Sequence, residues 1–232
     1  MRIRLQAIAA CALGSALFVS QPPGAWAVGD EPVNVPQSAG TGPSAEIQSR
    51  VFYNTGVEQV RKADDFDVAA TALAEGPKKA KAANEARSLY STALGQFQHA
   101  VQADPKMYQG WNYVGYAHRK LGDYDDALEA YERALALHPG YPEAIEYRAE
   151  AYLAVNRIAD AQKSYLDLFA SDRAIAGKLL DAMKTLIASQ RSAAAASNLP
   201  AVNDLDKWVQ ERAQIAAQTV SLTREGAAAS WK

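Results

Sequence analysis

Three histidines stand at positions 99, 118 and 138 of this 232-residue chain, at intervals of 19 and 20. A helical metal site needs imidazoles one turn apart, so this spacing offers no ligand set. The single cysteine, Cys11, lies in an apolar N-terminal run. The chain has no glycine-rich phosphate loop, no G-x-S-x-G elbow and no H-E-x-x-H pair. Two acid pairs, Asp64/Asp65 and Asp125/Asp126, read as first-turn charges at a possible helix cap and at a turn, where they suit the helix dipole. No catalytic residue, metal site or cofactor is expected, and the chain is not expected to be an enzyme. With 24 basic against 26 acidic residues and a formal charge of −2, it lacks the positive field that a nucleic-acid partner requires. What remains is shape. An alanine-rich chain whose hydrophobic fraction is 49% favours helices.

Residues 1–27 read as an address. Arg2 and Arg4 precede an apolar stretch from Leu5 to Val19, followed by Pro22, Pro23 and Ala25-Trp26-Ala27. A positive start, an apolar run and small residues before the cut make a secretory signal peptide. Cleavage is expected after Ala27, and the protein is then periplasmic or secreted. A retained anchor would need about 20 apolar residues, and this run breaks at Ser20-Gln21-Pro22-Pro23. Ile8-Ala9-Ala10-Cys11 resembles a lipobox; a cut there would leave a short apolar stretch upstream, so loss of Cys11 with the signal is the reading adopted. The processed chain carries 22 basic and 26 acidic residues, no cysteine for a disulfide, and no segment apolar enough to span a bilayer. Residues 28–44, rich in Pro and Gly, read as a disordered lead-in.

A 34-residue period organises the chain beyond this lead-in. Ala93, Ala127 and Ala161 keep it, as do Phe97, Tyr131 and Tyr165, then Ala100, Ala134 and Leu168. Pro105 and Pro139 keep it too, although Arg173 occupies the third slot. In the clearest unit, Trp111, Val114, Gly115 and His118 share a helical face, Leu121-Gly122-Asp123 marks a turn, and Ala127, Leu128, Tyr131 and Ala134 form a second face. Small residues at Gly115 and Ala127 let two helices approach, with Trp111 and Tyr131 filling the space beside them.

The pattern W-x2-V-G-x2-H…A-x3-Y…P over residues 108–141 resembles the tetratricopeptide repeat, W-x2-L-G-x2-Y…A-x3-F…P. Ile145, Ala149, Tyr152, Ala161 and Tyr165 fill the equivalent slots of the next unit. His118 stands where the repeat has a packed aromatic, which implies a core or half-core histidine; His99 falls on a solvated helix face and His138 in an inter-repeat turn. In the preceding unit, Phe52-x2-Thr55-Gly56 aligns with Trp111-x2-Val114-Gly115, which leaves about 25 extra residues before Tyr90, Ala93 and Phe97. An overlong hairpin turning at Glu75-Gly76-Pro77 is expected there, Asp64-Asp65 being the place where a new helix could start instead.

The resemblance implies an all-α, right-handed helical-hairpin solenoid over residues 45–190, of about three repeats with the first elongated. It is closed by a helix whose apolar side is Ile175, Leu179, Leu180, Met183, Leu186 and Ile187. A further helix is expected over residues 201–220, with Leu205, Trp208, Val209 and Ile215 apolar, then a mobile tail over 221–232. It also implies a concave groove that takes an extended peptide or a partner helix. Residues expected to line it are Tyr53 and Val57, then Asn112, Tyr116 and Arg119, then Glu143, Glu146 and Glu150. A Lys and Asn clamp for a C-terminal carboxylate is not expected, because glutamates occupy slots that would need cations. The expected function is a non-catalytic scaffold for another envelope or secreted protein. The alternative is a self-assembling homo-oligomer in contact through Trp208, Trp231 or the flank of the first hairpin.

Overall fold

The computed structural model describes residues 44–192 and 199–229, with side chains in the last segment from 201 to 219. The expected signal peptide, Cys11, the lead-in to Pro43 and Trp231 lie outside the described residues. Among the described residues there are eight α-helices and no strands: α1 Ala45–Ala72, α2 Pro77–Ala103, α3 Tyr108–Leu121, α4 Tyr124–Leu137, α5 Pro142–Ala154, α6 Ile158–Ser171, α7 Arg173–Ser192 and α8 Leu199–Ala229. Consecutive helices pack as antiparallel hairpins, α1 on α2, α3 on α4 and α5 on α6, with α7 against α5 and α6 and α8 against α7. None of the described helices is long and apolar enough to cross a membrane.

The first hairpin is long. Helices of 28 and 27 residues reach about 40 Å and meet in a short turn. Gly76 adopts φ +150 there and Pro77 takes the first position of α2, which has no use for its missing N–H. Ser44 opens α1 by accepting the amide of Ile47 at 3.3 Å. Asp64 does not start a new helix. It sits inside α1, because α2 and α3 supply partners for its carboxylate.

The period persists in the backbone. Gly122 ends α3 at φ +94, and Asn156, 34 positions on, follows α5 at φ +61. In both places the next amide reaches back to close the helix, from Asp123 to His118 O at 2.9 Å and from Arg157 to Tyr152 O at 2.7 Å. Asp104, His138 and Asp172 cap the second helices at the same interval. After the first two, a three-residue loop containing Pro105 or Pro139 leads to the next helix. With Arg173 in the third slot, α7 starts at once, and Asp172 Oδ1 accepts the amides of Ala174 and Ile175, each at 3.0 Å.

Within each hairpin a small residue faces an aromatic ring. A Cβ placed on Gly56 would lie 2.5 Å from the ring of Phe97, and one on Gly115 would lie 2.6 Å from that of Tyr131. Ala149 and Tyr165, both buried, share one core in the third unit. Ala93, Ala127 and Ala161 are fully enclosed, which lets the helices close on these rings. Trp111 is only half-buried; its indole N–H donates to Pro105 O at 2.9 Å and the Arg133 guanidinium covers its face. The six apolar residues expected to seat α7 are all buried. α8 extends past the expected end near residue 220, to Ala229.

Gly115→Ala is expected to cost about 1–3 kcal/mol by overpacking against Tyr131. Gly177→Ala, in open space within α7, is expected to gain roughly 0.5–1 kcal/mol. Thermal unfolding followed by circular dichroism reads both, and equal shifts would contradict this packing.

Candidate partner-binding surface

The inward positions of α1, α3 and α5 are filled by rings. Tyr113 stacks on Phe97 at 4.9 Å and meets the edge of Tyr53 at 5.6 Å. Tyr116 lies 6.0 Å from Tyr113 and 5.1 Å from Tyr147, and Tyr147 lies 6.4 Å from Tyr131. Large rings at helical spacing on neighbouring helices interdigitate across the space that an open groove would occupy. Neither α3 nor α5 contains an exposed residue.

Six of the eight residues expected to line an open groove are buried, and the other two are half-buried. Tyr53, Val57 and Tyr116 belong to the first core. Asn112, Glu143 and Glu146 are buried polar residues, at 0%, 6% and 1% exposure. Arg119 and Glu150 keep partial exposure and form an ion pair with each other. The inward direction was legible from the period; the width of the space was not, because it depends on how far the rings reach.

Two polar clusters sit in this wall. In the first, the hydroxyls of Tyr90 and Tyr116 both donate to Asp64 Oδ1, at 2.5 and 2.9 Å. Lys120 Nζ lies 2.7 Å from Asp67 Oδ2 and 3.9 Å from Asp64 Oδ1, over the rings of Tyr90 and Tyr116. Three helices are thereby tied through one carboxylate. Burial pushes the Asp64 carboxyl above its ordinary range against the lowering effects of Lys120 and the two hydroxyls. Burial, reinforced by Asp64, also raises both phenols. Asp64 was expected only as a cap; its position inside an otherwise continuous helix was the signal for a buried partner.

In the second cluster, the Arg119 guanidinium lies 5.2 Å from the Tyr116 ring and 5.4 Å from the Tyr147 ring while pairing with Glu150. Burial alone would lower its pKa, but Glu150 together with the Tyr131 and Tyr116 phenols outweighs that and holds it high. Glu146, one turn before Glu150, is pushed well up by burial and by the Glu150 charge, with Arg119 and Lys178 opposing. Its Oε1 has no hydrogen-bond partner among the described residues, and neither do the two amide atoms of Asn112. Protonation relieves Glu146 of a buried charge.

The histidines are scattered. His118 is partly buried with Nδ1 3.5 Å from Asp123 Oδ2. His99 is exposed beside Phe52, and His138 stacks on Tyr108 at 4.5 Å. Trp208, the candidate contact between copies, is half-buried and packs on Tyr165 at 5.3 Å beneath Arg212.

The family model of the tetratricopeptide repeat matches residues 108–141, the segment that forms α3 and α4. No curated protein matches the chain. Among solved structures the chain is similar to a crystal structure of MamA at 16% identity, covering 72% of this chain and 96% of that one with a TM-score of 0.42. A second MamA structure is similar at 17% identity, over 74% and 94%, with a TM-score of 0.40. The TPR2B domain of yeast Sti1, solved in a pHsp70 complex, is similar at 13% identity, over 68% and 98%, with a TM-score of 0.33.

Asp64→Ala is expected to cost about 1–3 kcal/mol, since it strands two tyrosine hydroxyls, read as a lowered midpoint in urea. Glu146→Gln tests the second cluster. A raised carboxyl pKa gives stability that is full below the ordinary Glu value and is lost as pH rises through the folded one. The variant lacks that loss, so its melting temperature is expected to exceed the parent's increasingly from pH 4 to pH 8. A constant difference over that range would refute the burial argument.

Proposed function

We propose that this chain, which carries a tetratricopeptide repeat in α3 and α4, is a non-catalytic scaffold for contacts between proteins, exported from the cell that makes it. The carrying observation is the repeat match at 108–141 together with the Gly115–Tyr131 packing that recurs at Gly56–Phe97. Such hairpins stack into a curved two-layer array whose inner side presents the first helices. Export rests on the sequence of residues 1–27, and it would put the partner among envelope or secreted proteins. The inner rings act as a stiff floor. Of the eight inward residues only Arg119 and Glu150 keep some exposure, and a peptide or helix laid along the concave side touches the wall there.

Two measurements test this reading. Mass spectrometry of the protein recovered from the envelope fraction is expected to find Val28 at its N-terminus; a chain retaining Met1 in the cytosol would refute export. Crosslinking in intact cells is expected to capture one defined protein. The double swap Arg119→Glu with Glu150→Arg keeps the pair but reverses the wall's charges, and is expected to reduce that capture at least tenfold at a temperature where circular dichroism shows the variant folded. Undiminished capture would move the contact off the concave side, and capture of no protein would refute the scaffold.

A further inference from the structure

The first hairpin outruns the array. Its last ties to α3 are Lys120 on Asp67 and the Arg87 guanidinium donating to Leu121 O at 3.3 Å. Beyond them, among the described residues, the polar contacts of 68–86 stay inside the hairpin: Thr71 Oγ1 donates to Val68 O, and Lys79 pairs with Glu75. About ten residues at 1.5 Å each give a protrusion of roughly 15 Å.

The composition of this tip is unlike that of the body. Leu73, the extended residue that ends α1, is exposed at 38%, and Phe66, just below the tie at Asp67, at 41%. Between and beyond them stand small residues, Ala69, Ala72, Ala74, Gly76, Pro77 and Ala80, all exposed. Lys78, Lys79 and Lys81 follow in the first turns of α2. Cations there oppose the positive end of the helix dipole, so helix stability does not explain them. The carboxylates nearby are engaged, Glu75 with Lys79 and Asp67 with Lys120; Asp65 and Glu85 lie further from the turn.

We propose that this tip docks on an anionic lipid surface. The lysines supply the charge complement, each worth about fivefold in partitioning at an anionic interface. Leu73 at the apex enters the headgroup boundary, and Phe66, about 10 Å lower along α1, reaches the limit of the 5–10 Å depth that interfacial helices occupy. A convex end of small side chains has few groups to read a folded protein surface, whereas a deformable bilayer accommodates it. The site is separate from the concave side, and it needs no membrane-spanning segment.

The test uses the processed chain beginning at Val28, which has no cysteine, labelled at Leu73→Cys with an environment-sensitive fluorophore and, as control, at Leu137→Cys on α4. With vesicles of phosphatidylglycerol the label at 73 is expected to shift to the blue, the label at 137 to stay unchanged, and vesicles of phosphatidylcholine to have no effect on either. Lys78→Gln, Lys79→Gln and Lys81→Gln together are expected to weaken the response at 73 on the order of 100-fold. Leu73→Ser, read by vesicle flotation against the parent, is expected to weaken binding severalfold with the lysines intact. Binding of the processed chain without a response at 73, or a response that survives loss of all three lysines, overturns the proposal. So does a response to soluble polyglutamate that matches the one to vesicles.

Discussion

The first two hairpins depend on one contact, a missing side chain on the first helix set against an aromatic ring on the second. Gly56 receives Phe97 and Gly115 receives Tyr131 at distances that leave no room for a methyl group. Ala149 and Tyr165 continue the series inside a second core. Because the ring occupies the place of a side chain, the helices approach closely, and the direction in which each hairpin leaves is fixed by the same contact. Stacking at a constant interval results from repeating it.

The interior built this way is less oily than its composition implies. Tyrosines link α1, α3, α4 and α5 in an unbroken series of ring contacts, and their hydroxyls and neighbours bring carboxylates and cations into the wall. Asp64 joins three helices through two phenols and a lysine; Arg119 joins α3 to Glu150 of α5 while lying against two rings. These polar groups fix the relative position of successive first helices more narrowly than apolar packing would, since each has few geometries that satisfy it.

Much of this architecture could be read from the order of residues. The 34-position interval located Ala93, Ala127 and Ala161, and the small-against-aromatic pairs with them; Gly76-Pro77 located the turn of the long hairpin. Asn156 escapes such a reading because the left-handed position that Gly122 marks plainly can be filled by another residue able to adopt it. The inner wall was harder. Periodicity tells which way Tyr116, Glu143 and Glu146 point, but whether they meet water or one another depends on the curvature of the stack and the reach of rings on adjacent helices. Those are properties of three helices at once. For the same reason Asp64, a plausible cap when seen in its own helix, acquires its role only when Tyr90 and Tyr116 arrive from two others.

The absence of any exposed residue on α3 and α5 divides the molecule by access to solvent. Amide protons on these two helices exchange only when the structure around them opens, while α1 near its apex and the far part of α8 are free to fray on their own. Opening of this array is thus expected to proceed from its ends toward its middle, with the slowest exchange on the two enclosed helices.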